Sequence, residues 1–194
     1  ELIAETGAIL QIDAPDLLAG FTLTYKDDSV ADYRERARTH VEALNEAVSN
    51  VPDEQIRLHA CWGNYPGPHH HDVALEDVID VFYEADIGGL VVEGANPRHQ
   101  HEYRTFEEHP LPDGWRLIPG VIDVKTNIVE HPEVVAERIE RFADAVGDPE
   151  RVVAGADCGF ETVVAGANAV HPAIAWKKLE ALREGADLAA ERLA

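Results

Sequence analysis

The sequence predicts an α/β protein built on a parallel sheet. Two observations carry this. Short apolar runs alternate with amphipathic segments along the whole chain, with no low-complexity linker between them, which is the βαβα pattern of parallel strands joined by crossover helices. Each apolar run also closes on polar residues of ligand or acid–base type, and in a parallel α/β barrel such strand ends converge on one mouth.

Taken in order, the first strand is expected over Ala8–Ile12, closed by Asp13. A helix follows, opened by Asp28 or Ser29, both good N-cap types, with Val30, Tyr33, Ala37, Val41, Leu44 and Val48 at steps of three and four. Ile56–Ala60 forms the second strand. A helix from about Leu75 to Glu84 turns Val78, Val81 and Phe82 inward. Gly89–Val92 and Leu117–Ile122 are the third and fourth strands. The next helix starts at Pro132, whose fixed φ suits a first turn, and carries Val135, Ile139, Phe142 and Val146. Val152–Ala156 is the fifth strand, and the last helix runs from about Pro172.

A length of 194 residues fits one domain, 1–194, with room for a substantial core. The first twenty residues lack the features of a secretory signal, and no apolar stretch reaches a membrane span. Two cysteines are too few for a disulfide framework. The expected location is therefore the cytoplasm. With 16 basic and 37 acidic residues the net charge is −21, so nucleic acid and anionic membrane would be repelled. Only four lysines stand against twelve arginines, and the acids are spread along every helical segment. That is the surface either of a protein adapted to high salt, where screening removes the self-repulsion, or of an ordinary acidic enzyme.

The chemistry concentrates at the strand ends. Residues two apart on a strand share a face, so His59 and Cys61 can bind one metal ion. Cys158, closing the fifth strand, can complete the site from across a barrel mouth, and this soft N and S donor set suggests zinc. The competing reading is a core histidine and a buried structural thiol. Glu93, with Asn96, Arg98, His99 and His101, follows the third strand; Asp123 and Lys125 follow the fourth; Asp157 precedes Cys158. Arg98 is either a clamp for a substrate carboxylate or sulfonate or part of a structural loop. The triplet His69-His70-His71 reads as a loop closing over the site, not as a second metal centre.

Five strings carry a resemblance: Gln11-Ile12-Asp13-Ala14-Pro15, His59-Ala60-Cys61-Trp62-Gly63-Asn64, Val92-Glu93-Gly94-Ala95-Asn96, Gly120-Val121-Ile122-Asp123-Val124-Lys125 and Ala156-Asp157-Cys158-Gly159-Phe160. In this order they resemble the catalytic domain of cobalamin-independent methionine synthase, and most nearly its short single-domain relatives, which include the epoxyalkane:coenzyme M transferases. The resemblance implies a TIM (β/α)8 barrel and a zinc-dependent enzyme that alkylates a thiol. It implies His59, Cys61, Glu93 and Cys158 as zinc ligands, with Glu93, the hard oxygen donor, the most easily displaced. Asp13 matches a residue that holds the amino group of homocysteine, although it serves equally to cap the loop at Pro15.

The implied partners are a small thiol, homocysteine, and a methyl donor, either a folate or a methylated corrinoid. Where the family carries Asp-x-His, this chain has Asp123-Val124-Lys125. Lys125 can supply a proton or bind an anion, but the exchange weighs against methyltetrahydrofolate as donor. The length also departs, since a complete barrel needs about 250 residues. The expectation is therefore only the C-terminal five β/α units, strands 4–8, with the rest supplied by a second chain or lost from a fragment; the alternative is an intact open sheet of another fold. Transfer of another alkyl group to coenzyme M, or a catalytically dead partial barrel serving as a partner subunit, are the competing functions.

Overall fold

A computed structural model describes residues 1–65, 67–160 and 170–194. Its strands are β1 (Leu10–Asp13), β2 (Ile56–His59), β3 (Gly89–Val92), β4 (Arg116–Ile122) and β5 (Gly155–Ala156). They pair in the order β1-β2-β3-β4-β5, and every pairing is parallel. Strict sequential order belongs to a barrel wall; a doubly wound sheet reverses its order at a switch point.

The sheet is curled. In a flat sheet β2 and β5 would stand three strand spacings apart, roughly 14 Å, yet Cys61 Sγ, just past β2, lies 3.2 Å from Cys158 Sγ, just past β5. The result is a half-barrel of TIM type with helices on its convex side. Leu58, Leu90, Val92 and Leu117 face those helices and are fully buried with Tyr33, Val41, Phe82 and Phe142. Each such side chain contributes about 1.5–3 kcal/mol by leaving water. Gln11, Asp13, Arg57, His59, Val91 and Ile118 alternate onto the other face, where they line a cavity of about 480 Å³ that Cys158 also borders.

The helices begin and end for local reasons. Ser29 Oγ accepts the amide of Asp32 at 3.1 Å and opens Val30–Val48. His131 and His171 act likewise through Nδ1, at 3.2 Å to Glu133 N and 3.2 Å to Ala173 N, ahead of Pro132–Val146 and Pro172–Leu193. Gly147, at φ +76°, ends the former. The latter helix presses so close that a Cβ on Gly185 would overlap Val135.

Two elements differ from expectation. The segment expected as a helix over Leu75–Glu84 is a 3₁₀ turn, Leu75–Asp77, followed by a short helix, Ile79–Phe82, because Val78 at φ −133° lies outside helical geometry. Val78, Val81 and Phe82 are nonetheless buried. The fifth strand shortens to Gly155–Ala156, and Val152 makes only an isolated bridge to Leu117. The β4–β5 register shifts between Gly120 and Ile122, where Gly120 has no room for a side chain: an added Cβ would collide with the Asp157 carboxylate and lie 2.5 Å from the Asp157 Cα. Among the described residues no helix is long and apolar enough to cross a membrane.

Candidate metal centre

The alternation of β2 decides what reaches the mouth. Leu58 and Ala60 turn to the helices, so Arg57 and His59 turn to the concave face, and the chain leaves the strand at Cys61. Across the β1–β2 pair, Asp13 stands in register with His59, and Asp13 Oδ1 lies 3.0 Å from His59 Nδ1. A carboxylate can only accept, so the proton sits on Nδ1 and Nε2 is the nitrogen turned to the sulfurs. His59 Nε2 is 3.5 Å from Cys158 Sγ, which is 3.2 Å from Cys61 Sγ. The three ligand atoms all lie within 4.8 Å of one another, a donor set of one imidazole and two thiols that fits a zinc ion. Both cysteines are free thiols.

Glu93, fully buried at the end of β3, stands beside this cluster. Its Oε1 is 3.5 Å from Cys61 Sγ and 3.3 Å from the amide of Trp62, while Oε2 receives Asn96 Nδ2 at 2.6 Å and Lys125 Nζ at 2.9 Å. Burial by itself would lower the Lys125 pKa, but the charge and hydrogen bond of Glu93, with Asp157 and Cys158 behind, outweigh it and hold the ammonium protonated. The Cys61 sulfur, then burial, pushes the Cys158 thiol well above its usual range without a metal. Gly63 N, 3.2 Å from Cys61 Sγ, offers one compensating donor.

The other strand-end residues are placed as follows. Asp13, otherwise exposed, also accepts from Gln11 Nε2 at 3.0 Å. Burial would raise its pKa, yet the hydrogen bonds from Gln11 and His59 leave it below the ordinary value. Asn96 is spent on the turn: besides Glu93 it accepts the amides of Arg98 and His99 on Oδ1 at 3.0 and 3.2 Å. Arg98 is not brought to the sulfurs by any hydrogen bond; its Nε donates to the carbonyl of His69 at 2.8 Å. Asp123 is buried, accepts from Thr126 Oγ1 at 2.8 Å, and has its own amide held by Glu130 Oε1 at 2.8 Å.

Asp157 is a structural member of the centre that sequence reasoning noted only as a strand-end acid. Fully buried, it accepts the amides of Gly94 and Ala95 at 2.9 Å each on Oδ1 and of Asn96 at 3.0 Å on Oδ2, and so fixes the turn that follows Glu93. Burial first, then the charge of Glu93, raises its pKa to about 6. The available signal was Gly120, left bare to admit it.

Residues 2–176 match the family described as cobalamin-independent synthase, catalytic domain. The 2-hydroxypropyl-CoM lyase of Xanthobacter autotrophicus is 30% identical over 79% of this chain and 46% of its own length. The methionine synthase of Thermococcus kodakarensis is 27% identical over 100% of this chain and 47% of its own. A solved B12-independent methionine synthase from Shewanella sp. W3-18-1, in complex with selenomethionine, superposes with a TM-score of 0.67 over 95% of this chain and 49% of that one, at 19% identity, a likeness of fold. The chain thus spans about half the length of the curated relatives it matches.

Proposed function

The chain belongs to the cobalamin-independent methionine synthase family, and on that premise we propose that it carries the centre for zinc-dependent transfer of a methyl group to the thiol of homocysteine, forming methionine. The observation that supports this most directly is the convergence of His59 Nε2, Cys61 Sγ and Cys158 Sγ, from two strand ends that the curl of the sheet brings together. These three would hold the ion, with Glu93 beside them as a candidate fourth ligand, and zinc bound there would lower the pKa of a substrate thiol and so favour its thiolate.

The chain's own groups do the rest. Asp13 fixes the His59 tautomer. Lys125 and Asn96 bond Glu93 Oε2, so that the carboxylate keeps partners whichever way Oε1 turns. Lys125 Nζ holds a proton at this rim, where the nitrogen of a folate donor would take it up as its bond to the methyl group breaks; a methylated corrinoid would need none. The activity is proposed for a closed barrel, with further strands pairing against the edges of β1 and β5 that no described strand covers, whether another part of the polypeptide or a second chain supplies them.

A second reading, alkyl transfer to coenzyme M, is favoured by Lys125 itself. A cation at a position where the resemblance calls for histidine suits an anionic sulfonate, and the relative from Xanthobacter autotrophicus points the same way by its name.

X-ray absorption on the zinc-loaded chain tests both readings. Adding the cognate thiol is expected to replace one oxygen or nitrogen neighbour by sulfur at about 2.3 Å, with homocysteine for the first reading and coenzyme M for the second. A zinc shell that neither thiol changes overturns the transferase proposal and leaves a structural metal.

A further inference from the structure

Against the ring of Trp62, which stacks on His99 at 3.7 Å between centroids, lies a second group of ligand-type side chains that the transfer chemistry does not use. The histidine triplet, expected from the sequence as a loop closing over the thiol site and not as a second metal centre, divides here. His70 and His71 are exposed and pack on each other at 4.0 Å, whereas His69 turns inward. His69 Nδ1 is 2.8 Å from Asp72 Oδ2, and His99 Nε2 is 3.0 Å from the same oxygen. All three side chains are at most 8% exposed, and the three atoms lie within 4.8 Å of one another.

We propose that His69, Asp72 and His99 form a second divalent-metal site, distinct from the thiol centre. The spacing fits: ligands at right angles on an ion about 2.1 Å away stand about 3.0 Å apart, against the 2.8 and 3.0 Å found. The outward atoms fit as well. A ligating histidine donates its other N–H to a carbonyl or carboxylate, and here His69 Nε2 faces the carbonyl of Tyr65 at 3.1 Å while His99 Nδ1 faces Glu102 Oε1 at 3.4 Å. Glu102 is itself held by the amide of Leu75 at 3.3 Å. The second carboxylate oxygen of Asp72 lies 3.1 Å from Thr22 Oγ1, whose single proton it shares with the carbonyl of His71 at 3.2 Å, so that Oδ2 is the oxygen left to the rings.

A plain ion-pair cluster would gain by spreading two histidines over both carboxylate oxygens. In this chain both rings converge on one oxygen, and the other is given to a hydroxyl. Two imidazoles and one carboxylate on one side of an ion, with no sulfur, make a borderline site with open positions, suited to Mn²⁺, Fe²⁺ or Co²⁺ more than to a soft ion.

The test uses Co²⁺ and a Cys61→Ser/Cys158→Ser chain, which removes the thiol centre and leaves this one intact. Calorimetric titration is expected to find one Co²⁺ per chain, with no thiolate-to-cobalt charge-transfer absorption and a raised melting temperature. The wild-type chain is expected to bind two. Adding Asp72→Asn should weaken binding at least tenfold; should that variant fail to fold by circular dichroism, His69→Gln, the most exposed of the three, carries the same expectation. Absence of Co²⁺ binding in the cysteine variant, or binding that survives the substitution that folds, overturns the proposal in favour of an ion-pair cluster.

Discussion

Lys125, just past the end of β4, places its ammonium 2.9 Å from Oε2 of Glu93, just past the end of β3, and Glu93 is fully buried. The ion pair ties two neighbouring strand ends together at the rim of the thiol centre. Removing one partner of a buried pair strands the other charge, so Lys125→Met is expected to cost roughly 3–5 kcal/mol. Urea unfolding measures this, and a Lys125→Met/Glu93→Gln double variant should recover part of the loss. In an active barrel Lys125→Ala should slow turnover without releasing zinc. Equal stability of Lys125→Met and wild type would refute the coupling.

The Asp13 carboxylate acts on the metal through His59. Asp13→Ala should lower zinc affinity by roughly 10- to 100-fold, read by competition with a chelator, while Cys61→Ser and Cys158→Ser should each lose the ion. Because Asp13 is exposed, its removal should change folding stability little. Unchanged zinc content in both cysteine variants would overturn the ligand assignment.

On the convex surface, Arg34 grips Asp80 through both carboxylate oxygens, at 2.7 and 2.6 Å. The hydrogen bonds from Arg34 lower the Asp80 pKa in the folded chain. A depressed carboxylate pKa stabilises the fold above the unfolded value of 3.8, and that stability is lost as pH falls through the folded value. The pair is half exposed and screened, so its worth is at most about 1 kcal/mol. Asp80→Asn should therefore be slightly less stable than wild type at pH 7, and the difference should vanish in strong acid. A difference that persists there would refute the linkage.

A net charge of −21 stores self-repulsion that salt relieves. The melting temperature should rise as salt goes from about 0.1 M to molar concentrations, where the Debye length shrinks from about 10 Å to 3 Å. A flat or falling curve would mark an ordinary acidic protein.

Parts of this architecture were legible in the chain itself. Period-3.6 patterns with N-caps placed the long helices: Ser29 opens Val30–Val48 and Pro132 begins its helix, both as expected. Short apolar runs placed four strands to within a residue or two. The fifth was too long on paper because Val152-Val153-Ala154 has strand propensity but sits at a sheet edge, with Val153 41% exposed. The helix expected over Leu75–Glu84 broke at Val78, whose φ of −133° leaves helical geometry, a departure that apolar periodicity does not encode.

By itself the sequence determined the succession of strands and helices along the chain, the polar residues that close the strands, and, through its motifs, the family. Those features are local or follow from spacing along the chain. Only the tertiary structure decided which strand-end groups meet: that His59 is held by Asp13, that Lys125 and Asn96 are committed to Glu93, that Arg98 serves a loop carbonyl, and that Asp72 gathers His69 and His99. The physical reason is curvature and loop closure. Contacts between residues nearly a hundred positions apart, such as Cys61 and Cys158, depend on how far the sheet curls and where each loop turns back, and no spacing in the sequence fixes either.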